Sequence, residues 1–145
     1  WPENFRINEL VIFLISKGYS VEILTGYPNY PEGKIFEDFK KNPKDFSELN
    51  GAKIFRVPVR LRNKSKKIDL FLNYLTFFLS SIFIGTYKLR KRKYDIIFTF
   101  ATSPITVALT SIYFAKIKNC KNILWVLDLW PDILGELKII KKNIF

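Results

Sequence analysis

Histidine and methionine are absent from the 145 residues, and cysteine occurs once. Without histidine there is no imidazole general base, no Ser-His-Asp triad and no His-ligated metal. A single thiol, Cys120, excludes an internal disulfide framework and a thiolate zinc cage. In its Lys- and Asn-rich surroundings Cys120 reads as a small residue near a strand. The missing initiator methionine suggests a piece that begins inside a longer protein. The chain opens WPENFR, with no basic start leading into an apolar run and a small-residue cleavage site, so no signal peptide is expected. The phosphate-cradling patterns GxGxxG and GxxxxGK[ST] are missing, and nucleotide binding has no motif to stand on here. Seven prolines and six glycines are too few for collagen or linker composition, and no repeat or low-complexity segment occurs.

What is present is a chain that is 48% hydrophobic, 17% aromatic and 26% charged, suited to one domain spanning 1–145. A domain of this size buries roughly 68–70% of its unfolded surface, so a true core is possible. The 24 basic residues outnumber 13 acidic ones, a net charge of +11. Ten of the cations fall in two runs, Arg60, Arg62, Lys64, Lys66 and Lys67, then Lys88, Arg90, Lys91, Arg92 and Lys93. Between them Leu70 to Tyr87 carries no charge. Three readings compete for this stretch. A transmembrane helix of eighteen residues would span about 27 Å, short of the roughly 30 Å hydrocarbon core, and both flanks are equally basic. A helix buried in the fold accords with the thin polar stripe Asn73, Thr76 and Ser80. A helix partly exposed to a bilayer surface gives both basic runs anionic headgroups to hold. The second and third readings, applied to different faces of one helix, are taken together. Aromatic residues lie in apolar runs rather than among cations, and no zinc-finger, RNA-recognition or homeodomain motif occurs, so nucleic acid is not expected as a partner.

Short apolar runs at 21–24, 53–57, 95–100 and 122–127 have strand length, and the last two read as strands buried on both faces. Helices are expected over 7–17, with a stop at Lys17-Gly18, over 70 to about 92, from Ser103-Pro104 to about 118, and from about 130 onward. The long segment 25–52 reads as loop. This alternation predicts an α/β fold, a parallel doubly wound sheet with helices on both faces. Because a helix comes first, the first strand is expected to be missing upstream.

Ligands of open α/β sheets bind outside the carboxyl ends of the strands. The unusual segments all fall at that edge: residues 1–6, Thr25 to Lys34, Pro58 with the first basic run, Ala101 to Pro104, and Asp128 to Asp132. Asp128 ends an apolar strand, so it is either an acid that orients or deprotonates an acceptor hydroxyl or the N-cap of a segment starting at Leu129. Ser103 before Pro104 offers free backbone N–H groups to a phosphate, and equally a simple helix cap. Pro28 and Pro31 stiffen a loop in which Tyr27, Asn29, Tyr30 and Lys34 present rings, an amide and a cation, fit for a sugar or diphosphate unless the loop packs on itself. Trp125 and Trp130 read more readily as packing than as recognition.

The segments WPENFRINEL, LTGYPNYPEGKIF, TSPITVAL and ILWVLDLWPDIL, in this order and spacing, resemble the N-terminal half of bacterial family-four glycosyltransferases. The similarity is to the O-antigen and capsule subgroup that includes fucosyl- and N-acetylfucosaminyl-transferases. It implies one Rossmann-like half of a GT-B enzyme. That half binds a polyprenyl-diphosphate-linked or saccharide acceptor at the cytoplasmic membrane face. The donor half, absent here, takes the nucleotide-sugar, and the configuration-retaining reaction generally needs no metal or other cofactor. Carried onto this chain, the catalytic candidate is Asp128. The acceptor-binding candidates are Asn29, Tyr30, Glu32, Gly33, Lys34, Thr102, Ser103, Trp130, Glu3 and Arg6, and both basic runs serve the membrane surface. Where many members have a histidine before the aspartate this chain has Leu127, and Pro2-Glu3-Asn4 stands in place of a Gly-rich turn. Alone, these residues are expected to be inactive.

Overall fold

The computed structural model describes residues 2–29, 33–61, 67–101 and 107–127. They form a mixed α/β chain that divides into two compact units, 1–92 and 93–145.

In the first unit, helix α1 (Pro2–Ser16) leads into strand β1 (Glu22–Gly26). The helix begins five residues earlier than its apolar period suggests, with proline in the first turn where a missing N–H costs nothing. Residues 2–6 are therefore helix, not rim loop. The stop at Lys17-Gly18 forms as expected. Gly18 adopts φ 84°, its N–H bonds Ile15 O at 2.9 Å and the Tyr19 N–H bonds Leu14 O at 3.1 Å, the paired bonds of a Schellman motif.

The expected loop 25–52 is largely structured. It holds α2 (Glu37–Lys41), a 3₁₀ turn (Pro43–Phe46) and the short strand β2 (Glu48–Leu49). β2 turns through Asn50-Gly51 into β3 (Ala52–Val57). Positive φ at both turn residues (49° and 87°) makes this a type I′ hairpin, for which Asn-Gly is the strongest short-range signal. The sheet order is β1-β3-β2, with β1 parallel to β3 in the register Glu22↔Lys53 through Gly26↔Val57, and β2 antiparallel. The sheet is thus mixed rather than wholly parallel. Adjacent strand residues point to opposite faces. Phe55 lies under Arg92, from beyond the long helix, while Arg56 lies over Phe39 of α2, so elements flank both faces.

The long helix runs as α3 (Lys67–Ser80), a π turn (Ser81–Gly85) and α4 (Thr86–Leu89). Its amphipathicity is inverted. Asp69, Asn73, Ser81 and Gly85 are buried, whereas Ile68, Phe71, Leu75, Leu79, Phe83 and Tyr87 are exposed. Steps of four residues drift about 40° per step around an α-helix. The π turn, closed by the Thr86 N–H reaching back to Ser81 O, absorbs that drift and keeps Phe83 and Tyr87 in line with Leu79. No helix among the described residues is long and apolar enough to cross a membrane.

In the second unit, β4 (Ile96–Ala101) pairs parallel with β5 (Lys121–Val126), joined through α5 (Val107–Lys118). α5 ends on Asn119 at φ 50°, with the Cys120 N–H on Ala115 O at 3.0 Å. The expectation that both strands are buried on two faces does not hold among the described residues. One face, with Thr99, Ala101 and Asn122, meets α5, and Asn122 Nδ2 donates to Ser111 Oγ at 3.3 Å. The other carries Ile96, Phe98, Ile123 and Trp125, all exposed, with Phe98 and Phe100 edge-on to Trp125. A continuous apolar run records that a strand can be covered twice; which side is covered depends on what packs there.

Candidate functional site

The parallel pairing brings the carboxyl ends of β1 and β3 together at Gly26 and Val57, and the Tyr27 N–H extends the ladder to Val57 O at 3.1 Å. The chain leaving β3 crosses tightly over Gly26, where an added Cβ would stand 3.0 Å from Val59 Cγ1. Only glycine admits that approach without moving Val59.

Beyond Gly26 the loop folds on itself. Asn29 Nδ2 donates to Tyr27 O at 2.8 Å, the Gly33 N–H to Asn29 O at 2.7 Å, and the Phe36 N–H to Pro28 O at 3.1 Å. Gly33 sits at φ 71°, so its conformational freedom is used in closing the loop. The self-packed alternative is thereby partly realised: the Asn29 amide is committed to its own loop, although it remains half-buried at the rim. Lys34 is exposed beside it.

Arg56 organises this edge from below. Its Nε donates to Phe46 O at 3.2 Å and its Nη1 to Gly26 O at 3.1 Å, with the guanidinium 5.6 Å from the Phe39 ring centroid. Phe39 in turn meets Tyr27 and Phe46 at 5.3 and 5.6 Å. Burial pulls the Arg56 pKa below its usual value by desolvating the cation, yet an arginine stays protonated through such a shift. The charge is met by two carbonyls and a ring face.

A second cluster clamps the segment after β3 to the long helix. Arg60 Nη2 pairs with Asp69 Oδ1 at 3.2 Å, the Arg60 N–H donates to Thr76 Oγ1 at 2.9 Å, and Asn73 Nδ2 donates to Arg60 O. The polar stripe Asn73 and Thr76 thus faces inward and holds backbone. Arg60, expected at a membrane surface, also has a structural role as the partner of a buried carboxylate.

The second basic run is likewise tied into the unit. Lys88 Nζ donates to Arg56 O at 2.7 Å, Arg90 lies 3.9 Å from the Tyr87 ring centroid, and Arg92 Nη1 is 3.5 Å from Glu22 Oε1. Lys91 and Lys93 are exposed. Arg6 is exposed on α1, which also carries Glu3; Lys67 opens the long helix. Tyr30, Glu32, Arg62, Lys64, Lys66, Thr102, Ser103, Asp128 and Trp130 lie outside the described residues. The rim therefore gathers Asn29, Gly33 and Lys34, with Arg60 following β3. Arg56, Asp69 and the Asn50-Gly51 hairpin were not expected from the sequence. The signals were an arginine inside a strand beside Phe55 and Val57, a lone acid between cations, and an Asn-Gly pair. Among the described residues no three or more Cys, Asp or Glu side chains cluster as metal ligands would.

Comparison with protein-family models, with curated proteins and with solved structures gives no match.

Proposed function

We propose that this chain is the acceptor-binding, Rossmann-like half of a GT-B glycosyltransferase of family four, held peripherally at the inner face of the bacterial plasma membrane. In this reading the chain takes a polyprenyl-diphosphate-linked or saccharide acceptor, and a nucleotide-sugar is supplied through a second half. Asp128 then acts on the acceptor hydroxyl. The sequence resemblance and the two parallel strand pairs, each beside helices, support the architecture. One observation carries the location: the long helix turns its polar stripe inward and its apolar stripe outward, next to a run of five cations. An exposed apolar stripe is costly in water and favourable at a headgroup boundary.

The inverted helix also supports a second reading, a membrane-surface binding module without chemistry. Acceptor binding separates the two. A polyprenyl-diphosphate-linked sugar in detergent micelles is expected to bind, and Asn29→Ala or Lys34→Ala to weaken it, whereas UDP- and GDP-sugars are expected to bind negligibly. Tight binding of a nucleotide-sugar would overturn the division of labour. Vesicle binding without acceptor binding would favour the module.

A further inference from the structure

Where the long helix ends, Tyr87, Lys88, Arg90, Lys91 and Arg92 line a shallow cleft of about 400 Å³ that is open to solvent. Four of these five residues are cations and none is acidic. Cations near a helix C-terminus offset its carbonyl charge, and that accounts for one or two of them. It does not account for how the guanidinium groups are held. Arg90 is stacked on Tyr87 at 3.9 Å, while Arg92 is fixed from outside the helix, by Glu22 at 3.5 Å and over Phe55 at 5.9 Å. Lys88 is anchored on the Arg56 carbonyl. The Arg90 guanidinium, held against a ring face, and the exposed Lys91 ammonium present charge-assisted donors of the kind that phosphoryl oxygens accept, while Arg92, paired with Glu22, adds positive charge beside them.

We propose that this cleft binds a phosphoryl anion. The same chemistry is offered by free diphosphate and by a lipid headgroup. In the second case the inference deepens the membrane-surface reading, on which it then rests; in the first it stands without it. The test is a calorimetric titration of the 145-residue protein with inorganic pyrophosphate, alongside sedimentation with vesicles of phosphatidylcholine alone or with phosphatidylglycerol. The cleft variant Arg90→Gln/Lys91→Gln is compared with Lys41→Gln/Lys44→Gln, exposed cations of the same unit that carry the same charge change. Loss of charge-assisted hydrogen bonds should weaken pyrophosphate binding about tenfold or more in the cleft variant and about twofold or less in the control. Arg90→Lys, which keeps the charge but not the fork, should also weaken it. If the cleft variant also loses phosphatidylglycerol vesicles, the source is a headgroup; if it keeps them, the source is a free phosphate compound. Equal losses in cleft and control variants, or no pyrophosphate binding at millimolar concentration, would overturn the site, while vesicle binding by the wild type would still uphold the membrane reading.

Discussion

The inverted helix makes an unusual demand on mutagenesis: replacing large apolar residues by polar ones should leave folding intact. Phe71, Leu79 and Phe83 are 62%, 41% and 71% exposed. A fully buried side chain of this kind contributes about 1.5–3 kcal/mol. The surface these three still show to water therefore holds on the order of 3 kcal/mol, recoverable only when something covers it. The triple variant Phe71→Gln/Leu79→Gln/Phe83→Gln should bind anionic vesicles roughly 150-fold more weakly, since about 1.4 kcal/mol is a factor of ten. Glutamine is a good helix former, so intrinsic propensity does not oppose the change. Thermal unfolding followed by circular dichroism should show a Tm unchanged or raised. Raising salt from 0.1 to 1 M shortens the screening length from about 10 to about 3 Å and should remove the remaining, cationic part of the binding. A Tm lowered by about 10 °C or more would mean these side chains are packed within the protein. Unchanged vesicle affinity would mean the stripe does not meet the bilayer. Either result refutes the reasoning.

Two further perturbations probe the clamp and the hairpin. Arg60→Gln should destabilise more than Asp69→Asn, by about 1 kcal/mol, because it leaves a buried carboxylate without its cation while the asparagine variant removes the charge itself. Denaturant midpoints of the two variants check the order, and the reverse order would show that Asp69 is not held by Arg60. Gly51→Ala forces an L residue to φ 87° beside Ile15 and should cost about 1–2 kcal/mol. Unfolding at an unchanged midpoint would show that the hairpin is not a tight type I′ turn.

Local chemistry was enough for the elements that punctuate themselves. Lys17-Gly18 stops a helix because glycine, lacking a Cβ, enters the left-handed region at no steric cost, and β-branched runs mark β1, β3, β4 and β5 within a residue or two. Asn50-Gly51 is a hairpin signal in the sequence as well, although a loop is the simpler expectation for a segment rich in charge and proline. The direction of the long helix was not legible in this way. Its composition shows one thin polar stripe, and a helix packed on a core in water ordinarily turns such a stripe outward. Only the tertiary structure reverses it, because Asp69, Asn73 and Thr76 find the charge, carbonyl and amide of Arg60 inside the unit, and a satisfied buried polar group no longer has to face solvent. The fate of Arg56 was decided the same way, by carbonyls ten and thirty residues distant along the chain. Sequence determines which groups must be satisfied; the fold decides where their partners are, because those partners come from segments that local pattern does not connect.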